Sequence, residues 1–77
     1  MTNEEIKREC EKHIGKTFPI SDGLFYQHGR AKAMTITSVV CINGLVSVLN
    51  SMTFEDGYKS PANSYACDGN QFLSWIN

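Results

Sequence analysis

The densest chemistry in this chain is a seven-residue stretch, Tyr26-Gln27-His28-Gly29-Arg30-Ala31-Lys32, which gathers an aromatic ring, an imidazole and two cations around a glycine. The Arg30 guanidinium is a planar fork that can hold a phosphate or carboxylate through two hydrogen bonds at once. Tyr26 or His28 offers a face for stacking a base, Gly29 lets the backbone come close to a ligand, and Lys32 adds charge with less geometry. A second polar stretch, Tyr58-Lys59-Ser60-Pro61-Ala62-Asn63, repeats the mixture. The candidate ligand-binding residues are therefore Tyr26, His28, Arg30, Lys32, Tyr58 and Lys59, on loops spanning 26–32 and 58–65. The competing structural reading is that both are ordinary surface connections, which are commonly polar.

Other chemistries find less support. Cys10 and His13 stand three apart on an expected helix, a spacing that can ligate a metal, but structural zinc wants four ligands in paired short spacings. Cys41 and Cys67 each stand alone inside strand-like sequence, where free cysteine behaves as a small buried hydrophobe. Cys67 and the histidines show no spacing that would join a nucleophile to a base and an orienting group. Asp22, Glu55 and Asp56 lie beside glycines in turns, where acidic residues serve the backbone. None of the glycines forms a phosphate-binding motif. The expectation is a protein with no catalytic residues, no metal and no cofactor, hence not an enzyme.

Composition narrows the class. Seventy-seven residues, 42% hydrophobic and 19% charged, make one domain over 1–77 that folds rather than remaining disordered. A net charge of -1 argues against general duplex DNA binding, which needs a basic excess. Three widely spaced cysteines suit reduced thiols in a cytoplasm better than a disulfide framework. The opening MTNEEIKREC has no apolar signal core, and no stretch approaches the roughly 18 apolar residues of a membrane span.

The elements that must position these residues begin with a charged helix at about 3–14. Thr2 with Glu5 forms a capping-box pattern, Glu4 pairs with Arg8, Ile6, Cys10, His13 and Ile14 share a face, and Gly15 ends the helix. Thr17 to Ile20 is extended and belongs on a sheet edge, because Pro19 lacks a donor. Leu24-Phe25-Tyr26 reads as a second short strand, and Gln27 to Lys32 as a loop. Asn43-Gly44, the strongest two-residue hairpin signal, joins strands 33–42 and 45–54. Its register pairs Ile42 with Leu45, Val40 with Ser47, and Ser38 with Leu49. One face then carries Met34, Ile36, Val40, Ile42, Leu45 and Leu49, and the other Val39, Cys41, Val46, Val48 and Met52. Both faces are partly apolar, so each needs a cover: the helix on one, and a curled sheet or a second subunit on the other, for which a two-fold homodimer is the expectation. Ser64 to Cys67 is a last strand. The end is a short helix or a strand, with Asp68 and Gln71 favouring the helix, and Trp75 is expected to close the core.

The resulting fold class is α+β: an N-terminal helix packed on a small, strongly curved antiparallel sheet of four to five strands, whose closed form would be an SH3-like barrel. This layout resembles the style of small accessory proteins of phages and mobile elements, a likeness of layout that rests on no motif. The expected function is binding of another protein, as a small inhibitor or adaptor. The alternative is binding of a small anionic ligand such as a nucleotide, or of single-stranded nucleic acid, through the two loops.

Overall fold

The computed structural model describes residues 1–21 and 27–76. Tyr26 and the short strand expected at 24–26 lie outside them. Helix α1 runs Asn3–Glu11, strand β1 Thr17–Pro19, β2 Ala31–Ile42, β3 Leu45–Phe54, β4 Tyr65–Asp68 and helix α2 Gly69–Ile76. The strands form one antiparallel sheet in the order β1-β2-β3-β4. It is an α+β arrangement with an open sheet, not a closed barrel.

The expected capping box starts α1. The Glu5 N–H donates to Thr2 Oγ1 at 3.2 Å and the Thr2 N–H to Glu5 Oε1 at 3.3 Å. The helix stops at Glu11, earlier than the apolar spacing predicts. The N–H groups of His13 and Ile14 reach carbonyls three residues back, Cys10 and Glu11, which tightens the chain into a turn. Gly15 follows at φ +90° and donates to the Ile36 carbonyl at 2.8 Å. The sheet thus captures the chain before another helical turn can form, and Ile14 is left exposed. The ion pairs on α1 among the described residues are Lys7–Glu11 and Lys12–Glu9, rather than the expected Glu4–Arg8.

Asn43 and Gly44 both take positive φ, 51° and 78°, as a tight hairpin requires. Ile42 pairs with Leu45, Val40 with Ser47 and Ser38 with Leu49. The register then slips by one residue, because the next pair is Ile36 with Asn50 and Thr37 is left over as a bulge. Loop residue Asn63 pins this bulge. The Thr37 hydroxyl donates to Asn63 Oδ1 and accepts the Asn63 N–H at 3.1 Å, and Asn63 Oδ1 also accepts the Ser38 hydroxyl at 2.8 Å.

A one-residue slip moves every following side chain to the opposite face. Met34 and Ile36 therefore join Val39, Cys41, Val46, Val48 and Met52, correcting the two-sided distribution drawn from an unbroken register. Both helices pack on this gathered face, where Ile6, Cys10 and Phe72 close over Ile36, Val39, Val46 and Val48. The other face keeps Val40, Ile42, Leu45 and Leu49 among serines and threonines, with Ile42 55% and Leu45 64% exposed at the hairpin end.

The C-terminal segment is a helix. Asp68 Oδ2 accepts the Gln71 N–H at 3.0 Å, capping its first turn. Trp75 does not close the core as expected. It remains 51% exposed, edge-on to Phe18 at 5.8 Å between ring centroids. Phe72 takes the buried position instead, meeting Phe18 and His13 edge-to-face.

Candidate functional site

The helices cover only part of the gathered face. Beyond Phe72 the sheet floor continues as Met34 and Met52, which pair directly across β2 and β3, with Cys67 beside them on β4. Phe72, Gln71 and Trp75 of α2 form one wall, and Pro19, Ile20 and Ser21 the other. Together they enclose a groove of about 690 Å³. None of these lining residues is charged. Beside it lies Asn50, on the same face of β3 between Val48 and Met52. Asn50 is 1% exposed, and its Oδ1 is buried without a hydrogen-bond partner among the described residues.

A second cleft, of about 430 Å³, opens where β3 leaves the sheet, lined by Gln27, His28, Phe54, Tyr58, Ser60, Pro61, Ser64 and Tyr65. Here the two loops singled out in the sequence do meet. His28 stacks on Tyr58 with centroids 3.9 Å apart and planes 17° apart. Asp56 holds the stack, with Oδ2 2.8 Å from His28 Nδ1 and Oδ1 accepting the Tyr58 N–H at 2.8 Å. Those contacts, the Tyr58 N–H first and His28 after it, lower the Asp56 pKa below its ordinary value.

Arg30 and Lys32 sit in a separate, shallower cleft of about 310 Å³ with Ile20, Ser21, Ala31 and Glu55. Glu55 Oε1 accepts the Arg30 backbone N–H at 2.7 Å, and the Glu55 N–H donates to the Arg30 carbonyl at 3.0 Å. Lys32 belongs to strand β2 rather than to the expected loop. Lys59 bridges Thr53 beside β3. Four of the six candidates thus fall into two neighbouring clefts: His28 and Tyr58 in one, Arg30 and Lys32 in the other. Tyr26 lies outside the described residues, and Lys59 lines neither cleft.

His28 pairs with Asp56, and the serine hydroxyls of the same cleft are engaged within the fold. Ser64 Oγ lies 2.7 Å from Ser60 Oγ and 2.6 Å from the Pro61 carbonyl, and Ser60 Oγ accepts the Met52 N–H. Burial raises the Cys10 and Cys67 thiols above their ordinary value, which disfavours the nucleophilic thiolate. Among the described residues no three of His, Cys, Asp and Glu gather to hold a metal, and no helix is long and apolar enough to cross a membrane.

The sequence reading missed Met34, Met52, Phe54 and Tyr65 as site residues and took Glu55 and Asp56 only as turn formers. A pairing of Met34 with Met52 was one residue away from the register that Asn43-Gly44 sets. Comparison with protein families, with curated proteins and with solved structures finds no match to this chain.

Proposed function

We propose that this chain is a non-enzymatic binding protein that acts by covering the surface of another protein, as a small inhibitor or adaptor. The observation that carries this reading is Trp75, half exposed at the rim of an apolar groove floored by Met34 and Met52, whose described lining residues carry no charge. Tryptophan is enriched among residues that dominate binding energy. Methionine side chains are flexible and polarizable, and adapt to varied apolar partners. Three free thiols fit a reducing compartment, which supports a cytoplasmic setting.

The second reading, an anionic ligand or single-stranded nucleic acid on the 26–32 and 58–65 loops, draws support from the His28–Tyr58 stack. The carboxylates of Glu55 and Asp56 beside it weigh against an anion, because like charges repel across a site this small. A homodimer remains part of the proposal. It rests on Ile42 and Leu45, exposed at the hairpin end of the face that no helix covers. Light scattering at micromolar concentration decides it, and a clean 8.6 kDa particle removes the dimer.

Affinity capture from the native host, run in parallel with wild type, Trp75→Ala and Arg30→Ala, separates the two readings. The protein-binding reading expects a partner held by wild type and Arg30→Ala and lost by Trp75→Ala, with at least about a thirtyfold fall in affinity for a true hot spot. Retention by Trp75→Ala with loss by Arg30→Ala would move the function to the loops.

A further inference from the structure

The strands that border this sheet differ in how their outer sides are guarded. β1 is three residues long and carries Pro19, which has no backbone donor. β4 is four residues long and ends on Asp68, whose carboxylate caps α2. β2 runs from Ala31 to Ile42, but β1 pairs with it only at Ala33, Met34 and Thr35. Next to these the Gly15 N–H donates to the Ile36 carbonyl and the Ile36 N–H to the Lys16 carbonyl. Beyond that point Ser38 to Ile42 has no strand on its outer side among the described residues. The hairpin decides which backbone groups face outward there. Ile42 and Leu45 flank a two-residue turn and exchange hydrogen bonds, and antiparallel pairs alternate from them. Val40 and Ser38 therefore bond β3, whereas Val39 and Cys41 direct their N–H and C=O away from it. Among the described residues no backbone partner meets those groups. The stretch holds neither a charge nor a proline, the usual guards of an open edge. Cys41 and Ile42 are exposed and Val40 is half-buried.

We propose that this edge pairs with the same edge of a second copy, antiparallel about a two-fold axis at Val40, so that the four strands of each copy join in one sheet. The segment is complementary to itself. With Val40 opposite Val40, Val39 of each copy stands opposite Cys41 of the other, and their outward N–H and C=O groups satisfy one another. Ser38 then stands opposite Ile42, and the pairing ends where Gly15 and Lys16 occupy the edge. The axis is perpendicular to the sheet, so the two copies of α1 lie on one face and run antiparallel. Each α1 sits over β2 and β3 through Ile6 and Cys10. Strands spaced ~4.8 Å apart then set the two helix axes about 10 Å apart, the spacing of packed helices. The acidic start of one α1, Glu4 and Glu5, is brought toward the basic end of the other, where Lys12 and Lys16 lie. An extended peptide of another protein would use the same amides but would bring no helix to meet α1. The pairing rests on the homodimer reading and moves its contact from the exposed face of Ile42 and Leu45 to the edge of β2.

The test is cross-linking by mild oxidation, read on a non-reducing gel, beside light scattering over a range of concentrations. Val40→Cys, Ile42→Cys and Leu45→Cys are each placed in a Cys41→Ser background, and that background alone is the control. Across the axis the two Val40 positions form a non-hydrogen-bonded pair with Cα atoms about 4.5 Å apart, within reach of a disulfide. The two Ile42 positions are offset by roughly 13 Å along the strands. The expected result is a species of twice the 8.6 kDa chain from Val40→Cys, with little from Ile42→Cys, Leu45→Cys or the background. Cys41→Pro removes an outward N–H from each copy and none from the pairing of β2 with β3. It should weaken the dimer at least about tenfold, because each copy loses a bond to the other. Scattering that finds only monomer for wild type removes the edge pairing and the homodimer together, and would leave the edge to a peptide of another protein. A dimer that cross-links through Ile42→Cys or Leu45→Cys rather than Val40→Cys overturns the edge pairing alone and keeps a dimer on the exposed face. So does a dimer affinity unaltered by Cys41→Pro in a variant whose circular dichroism shows it folded.

Discussion

Asn50 offers the sharpest test of how this small core is built. It sits at the centre of the inner strand β3, paired with Ile36 on one side and Tyr65 on the other, with Val48 and Met52 as its neighbours along the same face. Its side chain is 1% exposed and its Oδ1 has no hydrogen-bond partner among the described residues. A buried acceptor left unpaired costs about 1–3 kcal/mol, because it gave up water and received nothing in exchange. Asn50→Val removes that acceptor, is close in volume, and suits a strand through its branched side chain. Loss of whatever the amide nitrogen contributes offsets part of the gain, so a net stabilisation of about 1 kcal/mol is expected. For a domain of this size that amounts to a rise in Tm of ~4–8 °C. Thermal and urea unfolding followed by Trp75 fluorescence measure it. A companion substitution, Asn50→Asp, places a charge where no partner awaits it and should destabilise the fold by several kcal/mol (about 3 or more). A fall in Tm for Asn50→Val would show that the amide is satisfied in solution, and the reasoning would then fail. If the variant is more stable yet loses the partner captured through Trp75, the amide serves the groove, since natural proteins tolerate such orphans mainly at functional sites.

Three further outcomes follow from the packing and the electrostatics. Gly69→Ala should destabilise by ~1–3 kcal/mol in denaturant melts despite alanine's better helix propensity, because the added methyl would lie 2.9 Å from Val46 Cγ1 and 3.1 Å from Ile6 Cγ2. Thiol labelling of the native protein should modify exposed Cys41 first, half-buried Cys67 more slowly, and Cys10, with 0% exposure, only on unfolding; equal rates for Cys10 and Cys41 would contradict the core described. The carboxyl of Asp56 is more acidic in the fold than in the unfolded chain, so its contribution is present above the ordinary aspartate pKa and lost as pH falls through the lower folded value. The stability–pH curve of Asp56→Asn should therefore converge on that of wild type in acid, and a constant difference down to the lowest pH would reject the linkage.

Much of this fold is legible in the chain because local rules decide it. Thr2 and Glu5 announce the start of α1, and Asn43-Gly44 the hairpin with its register down to Ser38 and Leu49, whereas Gly15 lies beyond the helix end at Glu11. What escapes is set by residues far apart in sequence. Nothing in the run Ile36-Thr37-Ser38 marks a bulge. Its anchor is Asn63, itself held at φ 63°, which arrives from another loop to bind Thr37 and Ser38. Missing that single slip assigned Met34 and Ile36 to the wrong face and hid the Met34–Met52 pair. The site suffered in the same way. Arg30 and Lys32 were visible as cations, but the approach of Glu55 to Arg30 and of Asp56 to His28 is a tertiary event.

The bulge also explains why the clefts lie where they do. By turning Met34 and Ile36 to the same side as Val39, Val46, Val48 and Met52, it makes one long apolar face out of two mixed ones. Among the described residues two short helices lie on that face, of nine and eight residues, or roughly 12–14 Å each at 1.5 Å per residue. They cover the hairpin end, where Ile6, Cys10 and Phe72 complete a core. β3 alone, with ten residues, runs to roughly 33 Å, well beyond the reach of either helix. The remainder of the face, from Met34 and Met52 to Phe54 and Tyr65, is left to strand ends, a turn and a loop. These surround it without filling it, and the groove beside Trp75 and the aromatic cleft beside Tyr58 are what results. In a domain this small the edge of the core and the candidate binding surface are the same residues. Changes at Met34, Met52 or Phe54 should therefore alter stability and binding together, whereas Trp75 and Tyr58, half out of the fold, are the positions where binding can be changed alone.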